Sequence, residues 1–134
     1  MRYLLLVSFL VSAAYAQSPV VASGGVVNGA NYSSAVAPGS IAAVFGTDLA
    51  SGLSAADTVP LSTTLGDVQS VTFNGVAAPM DFVSSGQINV QVPWSVGAGT
   101  ATIVVTRASG ASSPQQVTIA TMSPGIFSVD ASGK

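Results

Sequence analysis

Between Ser84 and Trp94 the chain reads SSGQINVQVPW. Ile88, Val90, Val92 and Trp94 fall on one side of the alternation, and Gln87, Asn89, Gln91 and Pro93 on the other. Three carboxamides spaced two residues apart form a row of paired donors and acceptors. Such a row can grip the hydroxyls of a polar ligand or partner. It is equally the wet side of an antiparallel sheet, with Asn89 bonding the backbone of a neighbouring loop. Two aromatics extend the binding reading: Tyr32, in a loop before the second strand, and Trp94, which when exposed would stack on a sugar ring. Against this, the phase Trp94 shares with Ile88, Val90 and Val92 sets it toward the core edge.

Other chemistry is restricted by composition. The chain has no His and no Cys, so the base of a nucleophilic triad and the usual ligands of zinc, copper or haem are missing. No cofactor is expected. The acidic residues are Asp48, Asp57, Asp67, Asp81 and Asp130. The first three flank a long loop, but their spacing fits no compact calcium loop, and Asp favours turns. No pair of acids is placed for glycoside hydrolysis. Arg2, Arg107 and Lys134 are the only cations, too few and too scattered to neutralise phosphates, which excludes a nucleic-acid partner.

The elements that must position these residues follow a leader. MRY, the apolar run LLLVSFLV and the small-x-small triplet Ala14-Tyr15-Ala16 read as a secretory signal peptide over residues 1–16, cleaved between Ala16 and Gln17. The apolar run is shorter than the roughly 20 residues that span a bilayer. The expected location is therefore outside the cytoplasm, secreted to the cell surface, the periplasm or the medium, with no membrane span in the mature chain. Residues 17–24 read as a short linker and 25–134 as one domain. Charged residues are 6 % of the chain and hydrophobic ones 49 %, too apolar a mixture for disorder.

Within that domain, period-two alternation broken by Gly, Pro, Asn and Ser predicts strands. They fall at 25–28, 40–45 with Ile41, Ala43 and Phe45 inward, 69–74, 80–84, 87–94, 100–107, 116–120 and 125–129. Short strands at this spacing indicate an all-β, immunoglobulin-like antiparallel sandwich. Its expected core holds Ile41, Phe45, Val71, Phe73, Phe82, Ile88, Val90, Val92, Ile103, Val105, Val117 and Ile119. Asn74-Gly75 supplies the positive φ angles of a tight hairpin turn, with the following VAAP lengthening the loop, and Ser85-Gly86 reads as a sharp turn. Gly97-Ala98-Gly99 reads as the link of an antiparallel pair formed by 87–94 and 100–107. The long segment 47–66 holds a short helical turn near Leu53–Asp57.

Ordered blocks carry a family resemblance: Gly25–Ala30, Ala37–Gly39, Phe45–Leu49, Gln87–Pro93 and Pro124–Phe127. With them the chain resembles the Solibacter-type C-terminal domain, found at the ends of large exported bacterial proteins. More broadly it is similar to the TIG-type immunoglobulin-like domains. The resemblance implies a sandwich and transfers no catalytic residue. It also implies a second β unit beyond Pro-Gly-Ile-Phe, so that the chain is expected to be truncated after its first unit and prone to self-association. The function expected is that of an exported, non-enzymatic structural or interaction module. Its partner would be another protein or that second β unit. The alternative is a polysaccharide-binding module using Tyr32, Trp94 and the amide row.

Overall fold

The computed structural model describes residues 15–130 and is all-β. Its strands are β1 (Val20–Asn28), β2 (Ala35–Val36), β3 (Ile41–Thr47), β4 (Ser54–Ala55), β5 (Val68–Phe73), β6 (Val76–Ala77), β7 (Met80–Val83), β8 (Gln87–Gln91), β9 (Gly99–Arg107), β10 (Gly110–Ala111) and β11 (Gln115–Ile119). One sheet runs β1-β3-β8-β7-β4, and the other runs β2-β11-β9-β5-β6 with β10 added to β9. All pairs are antiparallel except β2 with β11. The two sheets face each other across a core of Val44, Ile88, Val90 and Met80 from the first, and Val71, Phe73, Ile103, Val105 and Ile119 from the second. The immunoglobulin-like sandwich expected from the periodicity is the fold observed.

The turn chemistry acts as read. Asn74 and Gly75 both have positive φ, 49° and 79°, the geometry that suits a two-residue hairpin. They join Phe73 directly to its partner Val76, so Val76 and Ala77 are strand β6 and not the lengthened loop expected there. Ser85-Gly86 closes the β7–β8 hairpin, with the Ser84 N–H donating to the Gln87 carbonyl at 2.8 Å.

Five expectations are corrected. First, β3 has the opposite phase: Ala42 and Val44 are buried inside, and Ile41 and Phe45 are only partly buried on the outer face. Pairing fixes this, because Ala42 lies opposite Val90 and Val44 opposite Ile88. Phe82 also faces outward, because a bulge between Met80 and Phe82 shifts the register so that Phe82 pairs with Asn89. Second, β8 and β9 are not paired; the segment between them crosses from one sheet to the other. Third, Leu53–Asp57 contains no helical turn; Ser54–Ala55 pairs with Val83 and Phe82 as an edge strand. Fourth, 125–129 forms no strand. Fifth, β1 begins at Val20, inside the segment read as a linker (17–24). Most of the segment read as a signal peptide, residues 1–14, lies outside the described residues. The expected cleavage bond between Ala16 and Gln17 stands in exposed chain just before β1. Among the described residues no helix is long and apolar enough to cross a membrane.

Besides the β4–β7 pairing and the backbone bonds from Leu49 to Ser85 and from Ala56 to Asp81, the Thr47–Gly66 loop is held by a side-chain clamp between the sheets. Arg107, at the end of β9, is only 8 % exposed. Its Nε and Nη2 donate to Asp67 Oδ2 at 2.9 and 2.6 Å, and its Nη1 donates to the Asp48 carbonyl at 2.6 Å. Asp67 Oδ1 accepts the Ser51 N–H at 3.0 Å. Burial raises the Asp67 pKa, but the hydrogen bonds from Ser51 and Arg107 and the charge of Arg107 outweigh it, holding the carboxyl below 3.8. A buried guanidinium must be paired, and here its hydrogen bonds go to Asp48 and Asp67 at the two ends of the loop.

Candidate functional site

The amide row lies on the outer face of the central strand β8. Gln87, Asn89 and Gln91 are all partly buried. Their cross-strand neighbours on β3 are Phe45, Ala43 and Ile41, in that order. Asn89 also faces Phe82 on β7, and Ala43 faces Val27 on β1. The amides therefore stand in a semi-apolar field, not on a hydrated surface. Gln87 Nε2 donates to Asn89 Oδ1 at 2.8 Å. The loop brace expected of Asn89 is supplied by Gln91, whose Nε2 donates to the Gly39 carbonyl at 3.3 Å.

One end of this face, beside Gln87, carries an open apolar groove of about 310 Å³ lined by Val20, Ala22, Phe45, Gly46, Thr47 and Gly86. It forms because β1 and β3 lose register between Val21 and Val26. Tyr32 stands over Phe45, ring edge to ring face, with centroids 5.9 Å apart, and is half exposed at 50 %.

The other end, beside Gln91, carries Trp94. The sequence phase set this ring toward the core edge, but it is 77 % exposed. Proline 93 explains the difference: strand pairing stops there, and Pro93 to Val96 form a turn closed by the Val96 N–H and the Pro93 carbonyl at 3.2 Å. Val96 fills the buried position in place of Trp94. The six-membered part of the indole lies on Gly39, where any Cβ would collide with Cη2, Cζ2 and Cζ3.

A third feature was missed by sequence reasoning. Asn28, on the inner side of β1, is buried; its Oδ1 accepts the Ala30 N–H at 2.9 Å and its Nδ2 donates to the Ser123 carbonyl at 2.8 Å. Ser123 Oγ donates to the Ala35 carbonyl at 2.6 Å. The base of the Pro-Gly-Ile-Phe segment is thus pinned, while Ile126 and Phe127 beyond it are both 68 % exposed. A polar residue at an inward strand position was the available signal for Asn28. No three His, Cys, Asp or Glu side chains converge on a metal site among the described residues.

A family model described as IPT/TIG domain matches residues 27–119. The chain belongs to the IPT/TIG domain family. Solved structures share this fold. Gamma-CGTase from an alkalophilic Bacillus clarkii is similar at 18 % identity and a TM-score of 0.53 over 81 % of the chain. The Bacteroides ovatus mixed-linkage glucan utilization locus protein SGBP-B, solved with a mixed-linkage heptasaccharide, is similar at 19 % identity and a TM-score of 0.44 over 63 % of the chain. The chain spans 13 % of the first structure and 19 % of the second. Among curated proteins there is no significant match.

Proposed function

We propose that this TIG domain is an exported, non-catalytic interaction module that docks another protein or β domain through the apolar segment that follows Ser123. The observation that carries the reading is the exposed apolar segment after Ser123. Ile126, Phe127 and Val129 stand in solvent, although their base is fixed by the Asn28–Ser123 hydrogen bonds. Exposed apolar groups on an anchored base mark contact surfaces. The groove around Phe45, at the other end of the β1–β3 ladder from Asn28, offers a second unfilled apolar surface. The narrower relation to the Solibacter-type group rests on the sequence blocks, and export rests on the leader.

The test is site-specific photocrosslinking in the exporting cell, with benzoylphenylalanine in place of Phe127 and, as controls, Thr102 or Thr118 on the other sheet. A discrete crosslinked partner is expected from 127 and none from 102 and 118. Equal labelling from all three positions would refute a docking segment. Amino-terminal sequencing of the exported protein is expected to begin at Gln17, and an intact Met1 would refute cleavage.

A further inference from the structure

We propose that Trp94, seated on Gly39 beside Gln91, is a stacking site for the pyranose rings of a neutral polysaccharide. The seat is built, not incidental. Gly39 has φ of 78° and no room for a side chain because the indole lies there. The turn beneath is tied on several sides. Ser40 Oγ donates to the Ala37 carbonyl at 2.7 Å and accepts the Ala37 N–H at 3.1 Å. The Gly39 N–H donates to the Val92 carbonyl at 2.8 Å, and the Val92 N–H donates to the Ser40 carbonyl at 2.9 Å. One side of the ring is therefore held by a rigid turn while most of its surface stays open. An aromatic fixed before the ligand arrives loses little conformational freedom on binding.

The core does not need this ring, because Val96 fills the buried position next to it. An aromatic plane open on one side suits the C–H face of a sugar ring, through apolar burial and weak C–H···π contacts. Gln91 spends one N–H on the Gly39 carbonyl, which fixes its amide beside the seat and leaves an acceptor oxygen and a second N–H for sugar hydroxyls. Charge selects the ligand class. The only cation among the described residues is Arg107, which is buried and paired with Asp67, while Asp48, Asp57, Asp81 and Asp130 are exposed. An anionic glycan would find no counter-charge on this surface, and a neutral one needs none. The site is distinct from the groove, for Gln91 and the groove residue Phe45 lie at opposite ends of the β3–β8 ladder.

Trp94 is the chain's single tryptophan, so its emission reports on this corner alone. The full chain is titrated with laminarin, barley mixed-linkage glucan, soluble starch and xyloglucan, with polygalacturonate as the anionic comparator, and each is also cast into native affinity gels. A blue shift of emission and gel retardation with at least one neutral polysaccharide are expected. Trp94→Ala is expected to lose at least tenfold of the retardation with an unchanged melting temperature, and Gln91→Ala about threefold to tenfold. The proposal is overturned if no neutral polysaccharide shifts the emission or retards the protein, or if Trp94→Ala is retarded as strongly as the wild type. Equal retardation by polygalacturonate overturns it as well, as does an emission change that appears only with a crosslinked protein partner.

Discussion

Outside the six-stranded sheet the cross-strand rows run Thr118–Thr100, Gln116–Thr102, Val104–Thr72 and Thr106–Ser70. Outside the five-stranded sheet they run Val27–Ala43–Asn89–Phe82, Phe45–Gln87 and Ile41–Gln91. Both faces meet the demands of strand formation, one with threonine and the other with aromatic and aliphatic side chains. Threonine gives β-branching together with a hydroxyl for water, so the first face is complete as a solvated surface. The second keeps apolar area that strand formation alone does not require, and it ends in a groove at one side and an exposed indole at the other. A face of that kind is where a contact module would meet its partners.

The sharpest way to probe the difference compares two glycines with nearly the same φ, Gly39 at 78° and Gly75 at 79°. Alanine at either costs about 1 kcal/mol for the left-handed backbone. At Gly75 the new methyl would meet nothing, whereas at Gly39 it would meet Trp94. Gly39→Ala is therefore expected to cost about 2 kcal/mol in urea denaturation and Gly75→Ala about 1. In a Trp94→Ala background the two should become equal. If they are already equal in the wild type, the indole is not seated on the turn.

Next in size is the dryness of the outer face. Phe45 is partly buried under Tyr32, so Phe45→Ala is expected to cost about 1–2 kcal/mol, below the roughly 3–5 of a fully buried Phe. Thr102→Ala, on the opposite sheet, should stay within about 0.5 kcal/mol. Similar losses at the two positions would erase the contrast between the faces.

Smaller still is the response of the inter-sheet clamp to acid. The folded-state pKa of Asp67 lies below 3.8, while the unfolded chain keeps the ordinary value near that figure. The stabilisation is thus fully present above about pH 4 and fades as the pH falls through the lowered folded value. The Asp67 side chain is 38 % exposed, so screening holds the effect under about 1 kcal/mol. Melting temperatures measured from pH 5 to pH 2 should fall less steeply in Asp67→Asn than in the wild type. An identical slope would remove the clamp from the account.

How much of this could be read beforehand varies by element. The alternation in β5 and the Asn74-Gly75 turn were legible because only one face of that strand is apolar. In IAAVF both faces are apolar, so periodicity cannot choose between them, and the phase of β3 is set by its partner β8. Trp94 was misplaced because an alternation was carried past a proline that ends it. The pairing of β8 was misread because a Gly-rich link looks the same whether the chain folds back or crosses to the other sheet. Of the candidate site, the amides and the two aromatics were visible as residue types. The seat on Gly39 and the groove beside Phe45 depend on tertiary contacts and were not.

The smallest effect on stability has the clearest bearing on why amides stand in this face. Asn89 is the only polar member of the Val27–Ala43–Asn89–Phe82 row, and β8 is flanked on both sides, so it has no open edge to protect. Asn89→Val removes the acceptor of the Gln87 amide at a partly buried site while raising strand propensity, and the two changes should offset to within about 0.5 kcal/mol. What changes is the surface, since the row becomes apolar from β1 to β7. Sedimentation velocity should then show self-association that strengthens with concentration relative to the wild type, while Thr102→Val on the opposite sheet shows none. Equal behaviour of the two variants would mean that the amides do not guard this face, leaving hydrogen bonding to a partner or loop as their remaining role.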